Sequence, residues 1–176
     1  PMLLRILSPI VRFALWVFFR RIDIRGREQV PGDGPILYVA NHPNVALDSL
    51  LLAASVPDKP PFILGKSSLF KNRIYAFFLR RLGVIPVVRK QDSGARTGRN
   101  QDMLRQACLI LQQGGSLALF PEGLSHPVRQ VLPLKTGAAR IALRVEDEAD
   151  GRAGVRIVPV GLTYTAPDLF RSQVSV

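Results

Sequence analysis

The sequence is poor in the residues that build disulfides and zinc sites. It contains one cysteine, Cys108, and two histidines, His42 and His126. A single cysteine excludes a disulfide within the chain, and these side chains are too few for a Cys/His zinc cluster. Cys108 and its apolar neighbours are spaced as on one face of a helix, which predicts that the thiol is buried in the core. We therefore expect no bound metal and no bound cofactor, in a chain that suits a reducing, cytoplasm-facing environment.

Two catalytic motifs are also absent from the sequence. A serine hydrolase needs G-x-S-x-G and a P-loop nucleotide enzyme needs G-x-x-x-x-G-K-[ST], and the chain has neither. Acidic residues are scarce, because 24 Lys+Arg face 13 Asp+Glu and leave a net charge of +11. This excess predicts an anionic partner, which charge alone leaves open among nucleic acid, a phosphorylated small molecule and a membrane surface.

A long uncharged apolar run is missing as well. The most apolar stretch, MLLRILSPIVRFALWVFFRR, is interrupted by Arg5, Ser8 and Arg12, which fall along one narrow stripe of a helix. About 18 helical residues reach roughly 27 Å, and two arginines make crossing a bilayer costly. We therefore predict that residues 1–21 form a helix that lies in the membrane interface. The alternatives are a helix buried against the domain and, less favoured, a cleaved signal peptide.

From residue 35 onward, short apolar runs alternate with longer amphipathic ones, which is typical of α/β proteins. The predicted strands are ILYVA, FIL, VIPVV, LALF and VRIVPV, and the predicted helices lie near residues 43–55, 68–80, 99–113 and 135–146. We expect one α/β catalytic domain over residues 22–176, with a mixed, partly parallel sheet flanked by helices. Because the chain begins with proline and stops at SQVSV without an obvious terminal element, we expect a piece of a longer protein.

Polar residues follow three of these predicted strands. Asn41 and His42 follow ILYVA, Arg89 follows VIPVV, and Pro121, Glu122 and Gly123 follow LALF. In open α/β sheets, ligands bind in the crevice at the carboxyl ends of the strands. The three clusters are therefore predicted to converge on one site.

The stretch NHPNVALD suggests acid–base chemistry. A neutral imidazole takes a proton from a hydroxyl near neutral pH, and a carboxylate on its other nitrogen fixes the tautomer. His42 and Asp48 are six positions apart, about 240° around a regular helix, so they cannot be neighbours on one. Pro43 suits a first helical position, which leaves His42 in the preceding turn and Asp48 on the helix. The alternatives are a structural histidine and a solvated helix charge.

Together these motifs resemble the glycerolipid acyltransferase family, the lysophosphatidate and glycerol-3-phosphate acyltransferases, over nearly the whole chain. Its four motifs are matched in order by Asn41, His42 and Asp48; by GVIPVVR from Gly83 to Arg89; by Phe120, Pro121, Glu122 and Gly123; and by Val158, Pro159 and Val160. The helix LKTGAARIAL also resembles the one that follows FPEG in this family. The chain has five residues between histidine and aspartate where four are commonest, and Leu-Ser-His where Thr-Arg is frequent. Both features are similar to a branch with HPN and FPEG-x-SH, which includes glycerol-3-phosphate and dihydroxyacetone-phosphate acyltransferases.

The resemblance implies an enzyme of phospholipid synthesis. His42, held by Asp48, would act as general base on a hydroxyl of 1-acyl-glycerol-3-phosphate or glycerol-3-phosphate. The acyl donor would be acyl-CoA or acyl carrier protein, as co-substrate. We expect membrane lipids as partners and no nucleic acid, with the protein membrane-associated and its catalytic domain on the cytoplasmic face.

Further residues are expected to bind substrate. Arg89 would hold the acceptor's phosphate, with an ion pair to Glu122 as the alternative. Glu122 would contact acceptor hydroxyls or orient Arg89. The resemblance also points to the FPEG residues, Ser125 and His126, where a structural role for His126 is equally open. Lys66 is a further phosphate candidate, against a solvated basic face.

Two competing functions use the same sequence. A CoA-independent lysophospholipid transacylase would employ the same residues, and it would differ in releasing no free CoA thiol. A non-catalytic basic module that binds membranes would explain the net charge of +11. It would leave the polar clusters at the strand ends without a purpose.

Overall fold

The computed structural model describes residues 2–44, 47–56, 60–87, 97–126, 130–167 and 169–176, without the side chains of residues 2–5 and 97–100. The helices are α1 (Met2–Phe18), α2 (Leu47–Ser55), α3 (Arg73–Arg81), α4 (Thr97–Gln112) and α5 (Gly137–Asp147). The strands are β1 (Arg21–Asp23), β2 (Ile36–Ala40), β3 (Phe62–Lys66), β4 (Val84–Val87), β5 (Ser116–Leu119), β6 (Arg156–Val160), β7 (Thr163–Tyr164) and β8 (Gln173–Ser175).

The five predicted strands form the central sheet, in the order β4-β3-β5-β2-β6. Every pair in this sheet is parallel, and Tyr38 of β2 lies between Ala118 of β5 and Val158 of β6. Helices connect the successive strands, as parallel pairing requires. The α/β prediction is confirmed, but the mixed character that we expected belongs to a second sheet. Both faces of the central sheet are covered, so a run such as ILYVA is apolar throughout instead of alternating.

Two helix layers enclose the central sheet. Right-handed crossovers place α2 and α3 on one face, and α4 and α5 on the other. The contacts agree, since α4 packs on α5 whereas α1 contacts both α2 and α3. One core cluster joins Leu37, Leu117, Cys108 and Val145 on the α4–α5 side. The predicted burial of Cys108 is therefore confirmed.

The second sheet is small and was not predicted. It has the order β1-β8-β7, with β1 and β8 parallel and β7 and β8 antiparallel. Its strands are two or three residues long, which is too short for a recognisable sequence pattern. It packs with Leu15 of α1, with Phe19 just after that helix and with Leu51 of α2 in a separate core cluster.

Helix α1 therefore has one face packed on the domain. It ends at Phe18, before the predicted end at residue 21, and Arg21 already belongs to β1. Leu15 and Phe19 are almost completely buried, which fits the alternative of a helix against the domain for this face. Among the residues that the structure describes, no helix is long and apolar enough to cross a membrane.

Two predicted helices begin later than the pattern suggested. The described part of α2 begins at Leu47, and Pro43 lies in a bend before it instead of at the first helical position. The segment 68–80 divides into a 3-10 helix (Ser67–Phe70) and α3. Asn72 separates the two, because its side chain accepts hydrogen bonds from the backbone amides of Ile74 and Tyr75 and so starts α3.

Candidate active site

The loops that follow β2 and β5 meet at one edge of the central sheet. These strands are neighbours and parallel, so their carboxyl ends lie side by side. The loop after β2 carries Asn41 and His42, and the loop after β5 carries FPEG. Lys66 ends β3 at the same edge. Arg89, which was predicted to join this site, lies outside the described residues.

His42 and Asp48 are in direct contact. The imidazole Nδ1 lies 2.9 Å from Asp48 Oδ2, and both residues are buried, at 8% and 0% exposure. Asp48 lies in the first described turn of α2, whereas His42 precedes the helix. This agrees with the prediction that two residues six positions apart cannot be neighbours on one regular helix. The backbone amide of Asn44 also donates to Asp48 Oδ2, at 2.6 Å. The Asn44 amide therefore helps to hold the carboxylate in place beside His42.

Tyr164 holds the other oxygen of the same carboxylate. Its hydroxyl donates to Asp48 Oδ1, a buried contact between residues 116 positions apart. Burial, followed by the Asp48 carboxylate, raises the pKa of Tyr164 well above its usual value, so the hydroxyl stays protonated and remains a donor. Asp48 thus accepts hydrogen bonds from three groups. This arrangement leaves an acceptor facing Nδ1, which favours the tautomer with the proton on Nδ1 and a free lone pair on Nε2.

Phe120 packs on the His42 ring, and Asn41 anchors the loop that carries it. The Phe120 ring stacks on the imidazole, with 3.9 Å between ring centroids and 13° between planes. The Asn41 side chain donates to the Leu162 carbonyl and accepts from the Leu162 amide, which ties the β2 loop to the chain just before β7. Phe120 therefore contacts the predicted base itself, in addition to any contact with a substrate.

The loop after β5 holds the backbone of His42 from both sides. The Ser125 hydroxyl donates to the His42 carbonyl at 2.9 Å, and the His126 amide donates to the same oxygen at 3.1 Å. Glu122 Oε1 accepts from the His42 amide at 3.3 Å. Glu122 is 2% exposed, and its second carboxylate oxygen contacts His126 Nε2. The structure thus gives Ser125, His126 and Glu122 partners inside the protein, which fits the structural alternative for His126.

Gly123 makes room for Lys135, a cation that was not among the predicted site residues. Its φ of +73° places it in the left-handed region, and a Cβ added there would lie 2.3 Å from Lys135 Nζ. The Lys135 amide donates to the Pro121 carbonyl at 2.9 Å, so this residue is anchored beside FPEG. Within the described part of the chain, its ammonium group has no hydrogen bond or ion pair. The missing Thr-Arg after FPEG is the signal that could have directed attention to a cation in LKTGAARIAL.

Comparison with known proteins identifies acyltransferases among the relatives of this chain. A family model described as Acyltransferase matches residues 5–163. The chain is 29% identical over 149 residues to the chloroplastic 1-acyl-sn-glycerol-3-phosphate acyltransferase BAT2 of Brassica napus, covering 84% of this chain and 38% of that protein. It is 28% identical over 170 residues to the 1-acyl-sn-glycerol-3-phosphate acyltransferase of Streptococcus pneumoniae, covering 96% of this chain and 56% of that protein. The chain therefore spans less than two thirds of the length of these relatives.

The fold also matches a solved structure. This is the crystal structure of the 1-acyl-sn-glycerophosphate (LPA) acyltransferase PlsC from Thermotoga maritima, with a TM-score of 0.66 and 22% identity. The match covers 98% of this chain and 66% of that chain. It supports a single α/β domain with a mostly parallel sheet flanked by helices.

Proposed function

This chain belongs to the acyltransferase family, and from that premise we propose that it transfers an acyl group from a thioester to the free hydroxyl of 1-acyl-glycerol-3-phosphate. The observation that carries the proposal is the buried His42–Asp48 pair, at 2.9 Å, on the carboxyl edge of the sheet. The names of the relatives favour lysophosphatidate over glycerol-3-phosphate as acceptor. Acyl-CoA and acyl carrier protein are both suitable donors.

His42 acts as general base in the proposed mechanism. Nε2 takes the proton of the acceptor hydroxyl while the hydroxyl oxygen attacks the thioester carbonyl, and Asp48 stabilises the imidazolium that forms. Collapse of the tetrahedral intermediate breaks the C–S bond, and the imidazolium returns the proton to the leaving thiolate. The products are the new ester and a free thiol, and no acyl-enzyme forms. General-base assistance contributes about 10² to 10⁴ in rate, and positioning supplies much of the rest.

Cations at this edge hold the acceptor's phosphate. Lys135 stands beside Gly123 and has no protein partner among the described residues, so it is available to an anion. Lys66 ends β3 on the same edge and is a second contact. Arg89 is assigned here from the family motif, with the bidentate geometry that suits a phosphate. Glu122 does not bind this phosphate; it fixes the His42 loop through its own hydrogen bonds.

The enzyme works at a membrane, where its acyl substrates reside. One face of α1 packs on the domain, and the opposite face carries Ile10, Phe13 and Trp16 with more than 60% of each exposed. A helix of this kind lies in the plane of the interface and does not cross it. Membrane lipids are then its partners, and the catalytic domain lies on the cytoplasmic face.

One assay tests the reaction itself. Purified protein is incubated with acyl-CoA or acyl carrier protein and with lysophosphatidate or glycerol-3-phosphate, and the products are resolved by mass while free thiol is titrated. The expected result is one thiol released for each new ester, with lysophosphatidate as acceptor, and a rate about 10² to 10⁴ lower for His42→Ala. New diacyl product without thiol release would instead identify a lysophospholipid transacylase. No product from either acceptor would refute the proposed function.

A further inference from the structure

Helix α3 presents its apolar side chains outward. Residues Ile74, Tyr75, Phe77 and Phe78 are between 51% and 68% exposed, and none of the helix is buried. Only Ala76 and Leu79 are half-buried, where the helix lies against β4. An ordinary surface helix has the opposite arrangement, with its apolar stripe toward the core. The outward side of α3 therefore requires something apolar to cover it.

The outward side of α1 has the same character. Ile6, Ile10, Phe13, Trp16 and Val17 recur at helical spacing and are between 38% and 66% exposed. The helix buries Leu15 on its other side, and Phe19 is buried just after its end, so the exposed stripe is not part of the core. Because α1 contacts α3, the two helices that carry these stripes are neighbours. We call the two stripes together the two-helix apolar face.

The segments that carry this face are basic. Lys71, Arg73, Arg80 and Arg81 are all exposed at the two ends of α3, and the guanidinium of Arg81 lies 4.8 Å from the centre of the Phe77 ring. Residues 1–22 and 60–91 contain no aspartate or glutamate. Apolar side chains that bury into acyl chains, ringed by cations that meet headgroup phosphates, are the features of an interfacial membrane-binding surface.

We propose that the two-helix apolar face, and not α1 alone, docks this protein on an anionic phospholipid bilayer. A second copy of the chain is a poorer occupant, because a symmetric contact would bring the two arginine-rich borders together. A bilayer supplies both the apolar interior and the negative surface. The inference rests on the proposed membrane association and adds α3 as its second contact.

The position of α3 gives this docking a consequence for the site. The chain leaves β3 at Lys66, on the catalytic edge, and passes through the 3-10 helix directly into α3. That 3-10 helix contacts β3, β4 and α3. A bilayer bound at α3 therefore adjoins the edge that carries the proposed phosphate contacts, where a lysolipid would enter.

Vesicle sedimentation with the full chain tests this inference without using activity. The double variant Ile74→Gln/Phe78→Gln is compared with Leu143→Gln, which removes an equally exposed leucine, at 69%, from α5 on the opposite side of the sheet. Vesicles are phosphatidylcholine with and without phosphatidylglycerol. We expect the double variant to lose at least about tenfold in partition coefficient, about 1.4 kcal/mol, and Leu143→Gln to match the wild type. Arg80→Gln/Arg81→Gln should weaken binding only to the vesicles with phosphatidylglycerol.

The contrary outcomes are equally specific. Unchanged vesicle binding by Ile74→Gln/Phe78→Gln, with circular dichroism confirming its fold, would overturn the role of α3. A wild-type dimer in sedimentation equilibrium that Phe78→Gln dissociates, without vesicle binding, would assign the face to a second copy instead. An inactive protein that still binds vesicles through α3 would refute the proposed enzyme function and leave this inference standing.

Discussion

Replacing Asp48 by asparagine separates the two tasks of this carboxylate, which are orientation and charge. Oδ2 accepts from two donors, the His42 imidazole and the Asn44 amide, whereas among the described residues Oδ1 accepts from Tyr164 alone. The amide oxygen of asparagine should therefore take the Oδ2 position and its NH₂ group should face the tyrosine oxygen. The imidazole keeps its tautomer in this arrangement. What Asp48→Asn removes is the negative charge that stabilises the imidazolium.

The size of the effect follows from that charge. Two unit charges about 4 Å apart at an effective dielectric of about 20 attract by about 4 kcal/mol, which corresponds to about 10³ in rate. The imidazolium is only partly formed in the transition state, so we expect Asp48→Asn to lose between about tenfold and 10³-fold in kcat. His42→Ala, which removes the base, should lose about 10² to 10⁴. We expect Asp48→Asn to be the milder change, because it removes the charge but keeps the base.

The assay measures initial rates of thiol release with acyl-CoA and a short-chain, soluble lysophosphatidate, so that membrane binding does not limit the rate. Tyr164→Phe alone should cost less than about tenfold, because Asp48 keeps its two donors on Oδ2. The double variant Tyr164→Phe/Asp48→Asn should fall by more than the product of the single losses, since the amide is then free to turn its NH₂ toward the imidazole. A rate for Asp48→Asn within twofold of the wild type would mean that the pair is structural. A rate as low as that of His42→Ala would refute the retained tautomer.

Three further predictions test other parts of the structure. Lys135→Gln should raise KM for lysophosphatidate about tenfold while KM for acyl-CoA and the rate with a neutral monoacylglycerol stay unchanged, and Lys135→Arg should restore it; equal effects on donor and acceptor would remove Lys135 from the phosphate site. Because burial, followed by Glu148, raises the pKa of the Cys108 thiol, iodoacetamide should leave the native protein active and modify Cys108 only after unfolding; rapid inactivation would contradict its placement. The raised pKa of Tyr164 means that the folded state holds this proton more tightly than the unfolded state. Its contribution to the free energy of unfolding is therefore complete below about pH 10 and is lost as pH rises further. Chemical denaturation should show a shallower alkaline decline of this free energy for Tyr164→Phe, and identical slopes for the variant and the wild type would argue against the buried contact.

Most of the central architecture could be predicted because its signals are local. Short, mainly apolar runs of three to six residues between turns indicated strands, and β2 to β6 appear where those runs lie. The rule that ligands bind at the carboxyl ends of such strands placed His42 and FPEG at one edge. The relation of His42 to Asp48, one before a helix and one on it, was predicted from helix geometry and from Pro43, although Pro43 lies in a bend and not at the first helical position.

Only the tertiary structure decided what surrounds these residues. Tyr164 reaches Asp48 across 116 positions of sequence, and Lys135 lies beside Gly123 although the sequence between them has no periodic pattern. Substrate contacts of the FPEG segment stay a prediction, and the structure adds that Glu122 and Ser125 hydrogen-bond to the His42 backbone, because that buried amide and carbonyl need partners. Likewise, the apolar residues of α3 predicted a helix but not which way its apolar side faces. A sequence pattern shows that a helix has an apolar side, whereas the packing of β4 and α1 decides whether that side meets the core or the solvent.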